Sequence, residues 1–520
     1  MSTPLIGTTT DKLDTALGGE GVRRETKGEL FVTAVGELSS SRGKTHESGD
    51  ARSDRLTELT RKVALDDPAW VMRFDRWLRD EANIRTLTIK VACEFVKARL
   101  DAGVPDESHP GTPGMNRVII NVACARADEP SLVLSYWTEH YGRKIPKPVK
   151  RGVGDAAKRI WNEFNTLKYD TSKLDFRFGD VLEICHPRPR DAKQGMLFEW
   201  LLNRRHGVKD STELFEHLPT VTAATHVRNL MDSPESRAIL RDNLIAEPDT
   251  LREAGMTWEN LAALGPMDAA AWEAVIPTMG YMALLRNLKN FDDAGISAAA
   301  FKVVSGKLMD ESEVARSRQF PFRFYSAYKM ADERWSQVLE TALGHSLKNV
   351  PELKGRTLIM VDCSGSMYGY VSDRSKLTQA EQAGLFGTAV ARRCEDAVLM
   401  KYGSTSAEVK PGKGGVLAAM SKFTPMGGTE TARLTDQAIQ DRGPFDRVIV
   451  LTDEQTGAWG RGDVGSVVPR GTMLYTWNVA GYAAAHAAAR PDQHTFAGLT
   501  DQAFKMIPLI EAGSTYDWPF

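Results

Sequence analysis

Five oxygen-bearing side chains in the last third of the chain could together hold one divalent cation: Asp362, Ser364, Ser366, Thr429 and Asp453. Mg²⁺ prefers about six hard oxygen ligands and keeps several waters among them. The two carboxylates would supply negative charge, partly through water, and the three hydroxyls would supply neutral oxygens. Ser364 and Ser366 are two residues apart, so in an extended turn their hydroxyls face the same side. The set therefore predicts a site for one divalent cation, with Mg²⁺ as the expected ion.

These side chains need a scaffold that brings their loops together, and the surrounding sequence predicts one. Buried-strand runs alternate with helical patterns: strands at 356–362, 397–403, 447–454 and 471–480, and helices at 376–394, 430–441 and 501–513. Alternation of this kind predicts an α/β fold with a doubly wound, mostly parallel sheet. Ligands of such sheets bind beyond the carboxyl ends of the strands, and Asp362 and Asp453 both fall there.

Three separate parts of the sequence carry this metal prediction jointly. An Asp-x-Ser-x-Ser segment at 362–366 is followed downstream by Thr429 and then by Asp453. This order resembles the metal-ion-dependent adhesion site of von Willebrand factor A domains, whereas the first segment alone would be typical of an ordinary turn. The glycines expected to let the backbone approach the site closely are Gly365, Gly427 and Gly428.

The resemblance to A domains implies binding rather than catalysis. In that family an acidic residue of a partner completes the coordination of the metal, so we expect this protein not to be an enzyme. The alternative is a magnesium-dependent hydrolase, which needs a base positioned near the metal. Acidic residues close to the site in sequence are Asp373, Glu430 and Glu454, and none of them lies in a recognisable catalytic signature.

Composition and cysteine usage exclude several classes of protein. Lys and Arg number 66 against 68 Asp and Glu, a formal net charge of -2, so any nucleic-acid surface must be a local patch. The five cysteines form no CxxC pair, which argues against a zinc ribbon or a disulfide framework and fits a reducing compartment. The N-terminus has no signal-peptide pattern and no apolar run approaches ~18 residues. We therefore expect a cytoplasmic protein without membrane segments.

Residues 67–347 carry almost only helical patterns. The residues predicted to cap helix starts are Asp67, Ser233, Thr257 and Asp268, and Gly265 is predicted to end one helix. Short amphipathic helices predict stacked pairs of the HEAT type, with about 40–47 residues per repeat. Because no clear repeat is visible, a non-repetitive bundle is the alternative. The sequence thus predicts three parts. Residues 1–60 form a flexible segment that partly joins the helical domain and contains a loop at Ser39–Asp54. A helical-repeat domain covers residues 61–350, and an A-type domain covers residues 351–520.

A local excess of positive charge lies within the helical region. Between residues 141 and 160 there are seven basic residues and one acidic residue, and further basic residues follow to about residue 205. Such a bias could hold phosphates, and the alternative is a solvated helix face. The candidate RNA contacts are His186, Lys147, Lys150, Arg151, Lys158, Arg159, Arg188 and Arg190. The helical spacing of Trp161 and Phe164 favours core positions for both.

Four stretches of this region resemble segments of the Ro ribonucleoprotein family, whose helical part is the TROVE module. They are GVGDAAKRIWNEF (Gly152–Phe164), GDVLEICHPRP (Gly179–Pro189), GYMALLRNLKNF (Gly280–Phe291) and FPFRFYSAYKMADE (Phe320–Glu333). The order of a helical region and one A domain is also that of this family. Together with the A domain, the resemblance covers about residues 60–520 and is of the bacterial type.

This resemblance implies a mostly α-helical, HEAT-like repeat ring that the A domain closes, present as a monomer. It implies a role in RNA quality control or decay, in which single-stranded 3′ ends of misfolded or structured RNAs enter a central hole. A small noncoding Y-like RNA is expected on the outer surface, with an exoribonuclease tethered through such an RNA. The family's contact positions fall on His186, Lys168 and Lys173, and near Arg85 and Lys90. The rival hypothesis is a helical-repeat scaffold that binds proteins and carries a metal-dependent adhesion domain.

Overall fold

The chain folds into two compact units. The computed structural model of the protein describes residues 12–14, 20–22, 26–36, 49–82, 84–106, 112–229, 233–371, 376–410, 415–453, 463–479, 490, 492–497, 499, 501–514, 518 and 520. One unit, here called the helical unit, comprises residues 57–279, 294–297 and 520. The other, called the α/β unit, comprises residues 1–56, 280–293 and 298–519.

The N-terminal segment, expected to be flexible, contains regular structure where it is described. Its elements are β1 (Lys12–Asp14), β2 (Glu20–Val22), α1 (Thr26–Gly36) and α2 (Gly49–Asp66). The loop expected at Ser39–Asp54 is wrong from Gly49 onward, because those residues form the first turns of α2; the rest of that loop lies outside the described residues. Leu56 and Val63 of this helix are buried. The helix therefore packs through an apolar stripe, which the polar residues at its start did not indicate.

The helical unit is built from short helices, as its sequence predicts. They are α3 (Pro68–Asp80), α4 (Arg85–Asp101), α5 (Met115–Ala123), α6 (Glu129–Tyr141), α7 (Lys147–Ile160), α8 (Glu163–Tyr169), α9 (Phe178–Cys185), α10 (Ala192–His206), α11 (Thr212–His217), α12 (Pro219–Asn229), α13 (Pro234–Ala246), α14 (Pro248–Glu253), α15 (Trp258–Ala262) and α16 (Ala269–Val275), with a 3₁₀ turn at Ile276–Thr278. Helices close in sequence pack on each other, for example α3 on α4, α5 on α7 and α9 on α10.

Local signals set most of these helix boundaries. The side chains of Asp67, Ser233 and Asp268 each accept a hydrogen bond from a backbone N–H of the first turn that follows, and Thr257 forms a capping box, so these predictions are confirmed. The predicted stop at Gly265 is wrong, because α15 already ends at Ala262.

A close helix contact fixes the position of α7, which carries much of the basic segment. A Cβ atom on Gly152 would lie 2.7 Å from the carbonyl oxygen of Arg117 and 2.7 Å from Cβ of Ile120. Only glycine therefore lets α7 approach α5 at this crossing. The basic residues of α7 are therefore carried by a helix that packs closely on α5.

The α/β unit contains a six-stranded sheet in the order β5-β4-β3-β6-β7-β8. Its strands are β3 (Leu353–Asp362), β4 (Cys394–Tyr402), β5 (Ser406–Glu408), β6 (Arg447–Thr452), β7 (Met473–Asn478) and β8 (Gln493–Ala497). All neighbours pair in parallel except β4 and β5, which confirms the predicted α/β class. The sequence did not predict β5, which has three residues, or β8, whose Gln493 and His494 are polar yet buried.

Besides the sheet, the α/β unit contains helices from residue 281 onward. They are α17 (Tyr281–Arg286), α18 (Leu288–Ala294), α19 (Ala298–Met309), α20 (Glu311–Ser317), α21 (Pro321–Tyr328), α22 (Ser336–Ser346), α23 (Gln379–Ala391), α24 (Val416–Met420), α25 (Thr431–Arg442), α26 (Val464–Val467) and α27 (Met506–Ser514), with 3₁₀ turns at Glu333–Trp335, Leu347–Asn349, Gly365–Tyr368 and Asp501–Lys505. The rings of Phe322 and Phe386 each lie within 5.4 Å of Phe504, so α21 shares its core with α23. The boundary predicted at residue 350 lies just before β3, where the chain changes from helices to the sheet. The compact unit that contains the sheet nevertheless also includes most of the helices between residues 280 and 350.

The state of the cysteines and the character of the helices can be compared with what the sequence predicts. All five cysteines are free thiols. Among the helices of the described residues, none has both the length and the apolar character needed to cross a membrane.

Candidate metal centre and nucleic-acid interface

The two predicted acidic ligands lie at the same edge of the sheet. β3 and β6 are adjacent and parallel, β3 ends at Asp362, and Asp453 directly follows β6. Both side chains are 0% exposed. Since the carboxyl ends of parallel strands meet at one edge, the topology brings together two residues that are far apart in sequence.

Hydrogen bonds orient the Asp362 carboxylate and the serines that follow it. The backbone N–H of Ser364 donates to Oδ1 of Asp362 at 2.8 Å, and the Thr452 hydroxyl donates to Oδ2 at 2.7 Å. The Oγ atoms of Ser364 and Ser366 are 3.2 Å apart. The two hydroxyls therefore lie side by side, as their spacing predicts.

The loop that carries Thr429 is tied to the serine loop through the backbone. The N–H of Gly365 donates to the carbonyl of Gly427 at 3.1 Å. Gly427 has φ +88°, and a Cβ atom there would lie 2.8 Å from Oγ of Ser404, so this position needs glycine. The expectation for Gly365 is wrong, because a Cβ atom there would meet open space. Thr429 is half-buried two residues beyond Gly427.

The donor set at this edge fits a hard divalent cation. Among the described residues no cluster of three or more His, Cys, Asp or Glu side chains could hold a metal. A site here must therefore combine its two carboxylates with hydroxyls and water, a set that suits Mg²⁺ better than zinc. Asp373 and Glu454, two of the acidic residues considered as catalytic bases, lie outside the described residues.

Burial raises the pKa of Asp362 to about 6, with a smaller contribution from the negative charge of Asp453. The hydrogen bonds from Ser364 and Thr452 oppose this shift. A nearby cation would supply the positive charge that favours the ionised carboxylate.

If Asp362 binds a cation, its raised pKa predicts that the affinity for that cation depends on pH. Below about pH 6 the Asp362 carboxyl holds a proton that Mg²⁺ must displace, so affinity should rise with pH up to that point and then level off. The increase in melting temperature caused by Mg²⁺ should accordingly be smaller at pH 5 than at pH 7.5. An equal shift at both pH values would mean that the ion does not bind this carboxylate.

Many cations of the basic segment have no acidic partner. The basic segment lies within residues 112–229, which the structure describes without a gap. Its cations that form neither an ion pair nor a side-chain hydrogen bond are Arg143, Lys144, Lys147, Lys150, Arg151, Lys158, Lys168, Lys173 and Arg188, and we call them the unpaired cations. All are exposed or half-buried. Positive charge that is not neutralised within the fold is available to phosphates.

Other predicted RNA contacts are engaged within the protein. Arg190 pairs with Asp191 at 2.9 Å. Arg159 donates to the side chain and backbone carbonyl of Asn121, so it ties α7 to α5. These two guanidinium groups have structural partners that the sequence did not reveal.

The two residues expected near the hole lie on α4. Arg85 is half-buried, and its Nε lies 3.3 Å from Oε1 of the buried Glu129. Lys90 is also half-buried. The helix starts at Arg85 as expected, but residues 91–96 are all buried. It is therefore largely a core helix and not the amphipathic helix that was predicted.

His186 ends α9, as the following prolines predict. It is exposed, its backbone has φ 46°, and its N–H donates to the carbonyl of Leu182. A left-handed backbone is unusual for residues other than glycine and is tolerated best by Asn, Asp and His. The imidazole therefore projects from a capped helix end beside Arg188.

Two substitutions should separate an RNA contact from a structural role of His186. His186→Asn keeps a side chain that tolerates the left-handed backbone, so the melting temperature should be unchanged. RNA affinity should nevertheless fall about tenfold, because one charge-assisted or buried hydrogen bond is lost. His186→Gly should give the same loss. Unchanged affinity in both variants would leave the imidazole without a role in binding.

The prediction that Trp161 and Phe164 are core residues is confirmed for Trp161 and wrong for Phe164. Trp161 is buried, and its ring stacks on Phe178 with centroids 4.3 Å apart. Phe164 is 49% exposed. Helical spacing alone did not distinguish them, because α7 ends at Ile160 and the two residues lie in different elements.

Comparisons with known proteins agree with this architecture. The TROVE domain family matches residues 212–338. Telomerase protein component 1 from Mus musculus is 32% identical over 142 residues, 25% of this chain and 5% of that protein. The RNA-binding protein RO60 from Deinococcus radiodurans is 26% identical over 309 residues, 54% of each chain. This chain thus spans only a small part of the telomerase component and about half of the Deinococcus protein.

Among solved structures, the crystal structure of the Deinococcus radiodurans RO (RSR) protein is similar to this fold. The TM-score is 0.69 at 17% sequence identity, and the match covers 94% of this chain and 100% of the other. The mostly helical fold with an A-type α/β domain is thereby confirmed. The resemblance drawn from the sequence is also confirmed: residues 212–338 match the TROVE domain family, and the chain is similar to a bacterial Ro protein in sequence and in fold.

Proposed function

We propose that this protein binds RNA and that the unpaired cations of the helical unit make the principal contacts. The observation that carries the proposal is their concentration in residues 143–188, in a chain whose net charge is only -2. Phosphate neutralisation supplies most of the affinity of nucleic-acid-binding proteins. The name of the Deinococcus relative, an RNA-binding protein, gives independent support.

The RNAs that we propose are of two kinds. A Y-like noncoding RNA would bind the unpaired cations with His186, and single-stranded 3′ ends of misfolded or structured RNAs would enter a hole within the helical repeats. Arg85 and Lys90 remain our candidates for that hole, although half-burial leaves less of each side chain available to RNA. The protein would act as a cytoplasmic, monomeric factor of RNA quality control that an exoribonuclease joins through RNA.

The A-type domain would serve binding and not catalysis. We propose that it holds one Mg²⁺ through Asp362, Ser364, Ser366, Thr429 and Asp453, and that an acidic residue of a partner completes the coordination. Two carboxylates leave the ion with positive charge that a further carboxylate can neutralise. Under the alternative hypothesis of a protein-binding scaffold, the A-type domain would also bind an acidic partner through the metal, but the protein would have no affinity for RNA.

A competition experiment tests the preference for single-stranded ends. Protein freed of nucleic acid is offered a blunt RNA hairpin and the same hairpin with a single-stranded 3′ extension. The extended hairpin should bind more tightly, since a single strand can pass through an opening that excludes an RNA duplex. Equal affinities would contradict binding of 3′ ends in a hole. A preference that survives Arg85→Glu and Lys90→Glu would keep the hole but exclude these two residues.

A further inference from the structure

A cleft of about 840 Å³ opens in the helical unit beside the basic segment. Its walls are one face of α6, the start of α7 and the segment that leads into α9. Binding sites for small molecules typically measure about 300–1,000 Å³, so a whole nucleotide fits. The sequence did not predict this cleft, because its walls come from three separate stretches of chain.

The lining of the cleft includes two cations. Arg143 and Lys150 both line it, and both belong to the unpaired cations. The exposed Lys147 and Arg151 lie on the same helix as Lys150. The cleft therefore shares cations with the set that we propose as phosphate contacts.

The rest of the polar lining accepts hydrogen bonds and has few protons to donate. The hydroxyl of Ser135 donates to the carbonyl of Ser131 at 3.1 Å, and that of Thr138 donates to the carbonyl of Leu134 at 2.7 Å. Their protons are thus engaged within α6, and their lone pairs remain. The carboxylates of Glu139 and Asp175 also line the cleft, form no ion pair within residues 112–229, and only accept hydrogen bonds when ionised.

An aromatic ring completes the lining. Phe176 is half-buried and lines the cleft, as do Ile145 and Ile184. An exposed face of an aromatic ring in a basic groove is the usual stacking platform for an unpaired base. The cleft thus combines phosphate-binding cations, an apolar stacking wall and hydrogen-bond acceptors.

We propose that this cleft binds a single unpaired guanine nucleotide, a proposal that rests on the RNA-binding function above. Guanine carries two adjacent donors, N1–H and the N2 amino group, on its Watson–Crick edge. These match the two oxygens of one carboxylate, here Glu139 or Asp175. On the same edge the other three bases place a donor next to an acceptor, which a carboxylate would repel. Arg143 and Lys150 hold the phosphate.

Inosine tests the assignment sharply because it differs from guanosine only by the missing N2 amino group. Single-stranded, adenosine-rich oligonucleotides with one central guanosine, inosine or adenosine are titrated into full-length protein freed of nucleic acid. The guanosine oligonucleotide should bind roughly tenfold more tightly than the other two, the discrimination expected of one two-point contact to a base. Guanosine monophosphate is titrated in parallel, to separate a free nucleotide from a nucleotide within RNA.

Variants of the lining residues then test whether the preference for guanosine arises in the cleft. Glu139→Gln or Asp175→Asn should abolish the discrimination between guanosine and inosine while the adenosine oligonucleotide binds as before. Phe176→Ala should weaken all three oligonucleotides alike, because stacking does not read the base edge. Glu199→Gln removes an exposed carboxylate of α10 outside the cleft and should keep the preference. Melting temperatures confirm that each variant is folded.

The outcomes separate this proposal from the function on which it rests. Tight binding of RNA with equal affinity for guanosine and inosine would overturn the guanine site and leave the RNA-binding function intact. Binding of guanosine monophosphate without binding of RNA would keep the cleft as a site for a free nucleotide and overturn the RNA-binding function. If neither binds, both proposals are wrong.

Discussion

Replacing Lys147, Lys150 and Arg151 together by alanine is expected to weaken RNA binding and to flatten its salt dependence. Each phosphate contact that is lost should lower the slope of log K against log salt by about 0.7–0.9, so the triple variant should lose roughly 2–3 from the slope. The physical reason is that fewer counterions are released on binding. Affinity titrations at several salt concentrations measure the effect.

A matched triple variant controls for net charge. Arg76, Arg252 and Lys289 are exposed, and each pairs with an acid one helical turn away. Their replacement by alanine removes the same total charge but leaves the unpaired cations in place, so the slope should stay close to the wild-type value. An unchanged slope in the first triple variant, or an equal fall in both, would exclude the assigned patch.

Asp362→Ala is expected to abolish the stabilisation of the protein by Mg²⁺. An ion that binds only the folded state at 100 times its Kd adds about 2.7 kcal/mol to the free energy of unfolding, and this increment should vanish with the carboxylate. RNA affinity should be nearly unchanged, because the unpaired cations belong to the helical unit. Thermal melts with and without Mg²⁺ and a direct titration of the ion provide the measurements.

Two further variants keep this test decisive. Asp362 is buried and accepts two hydrogen bonds, so its loss also disturbs the fold. Ser366→Ala removes an exposed hydroxyl and should weaken Mg²⁺ binding without unfolding the protein. Asp441→Ala removes an exposed acid of α25 and should leave the metal effect intact. Full stabilisation by Mg²⁺ in Asp362→Ala would refute the site, and metal-dependent RNA cleavage by wild-type protein that this variant lacks would refute a binding-only role.

The arrangement of the loops that carry the candidate metal ligands could be predicted because it follows from strand order and local spacing. The buried parts of β3 and β6 are nearly continuous apolar runs, so the carboxyl ends of both strands were visible in the sequence. The polar residues after them were therefore expected at one edge of the sheet. Ser364 and Ser366 needed only their spacing of two. The role of Gly427 was also predictable, whereas Gly365 showed that a glycine in a motif need not be sterically required.

The partners of the basic residues could not be predicted in the same way. Sequence shows that Arg205 is basic, but its carboxylate partner, Asp180, is 25 residues away and is brought close only by the packing of α9 on α10. The same holds for Arg159 and the carbonyl of Asn121. Counting basic residues along the sequence therefore overestimates the number of cations that are available to RNA. The fold is needed to identify which of them are unpaired.

Cross-linking of RNA to the protein shows directly whether the unpaired cations contact RNA. Nucleic-acid-free protein is irradiated with a photoreactive single-stranded RNA, and the cross-linked peptides are mapped by mass spectrometry. We expect the cross-links to concentrate in residues 143–188, which carry the unpaired cations and His186, and to decrease with salt. Cross-links confined to other parts of the chain, or none above the level of an unrelated protein of similar charge, would contradict it.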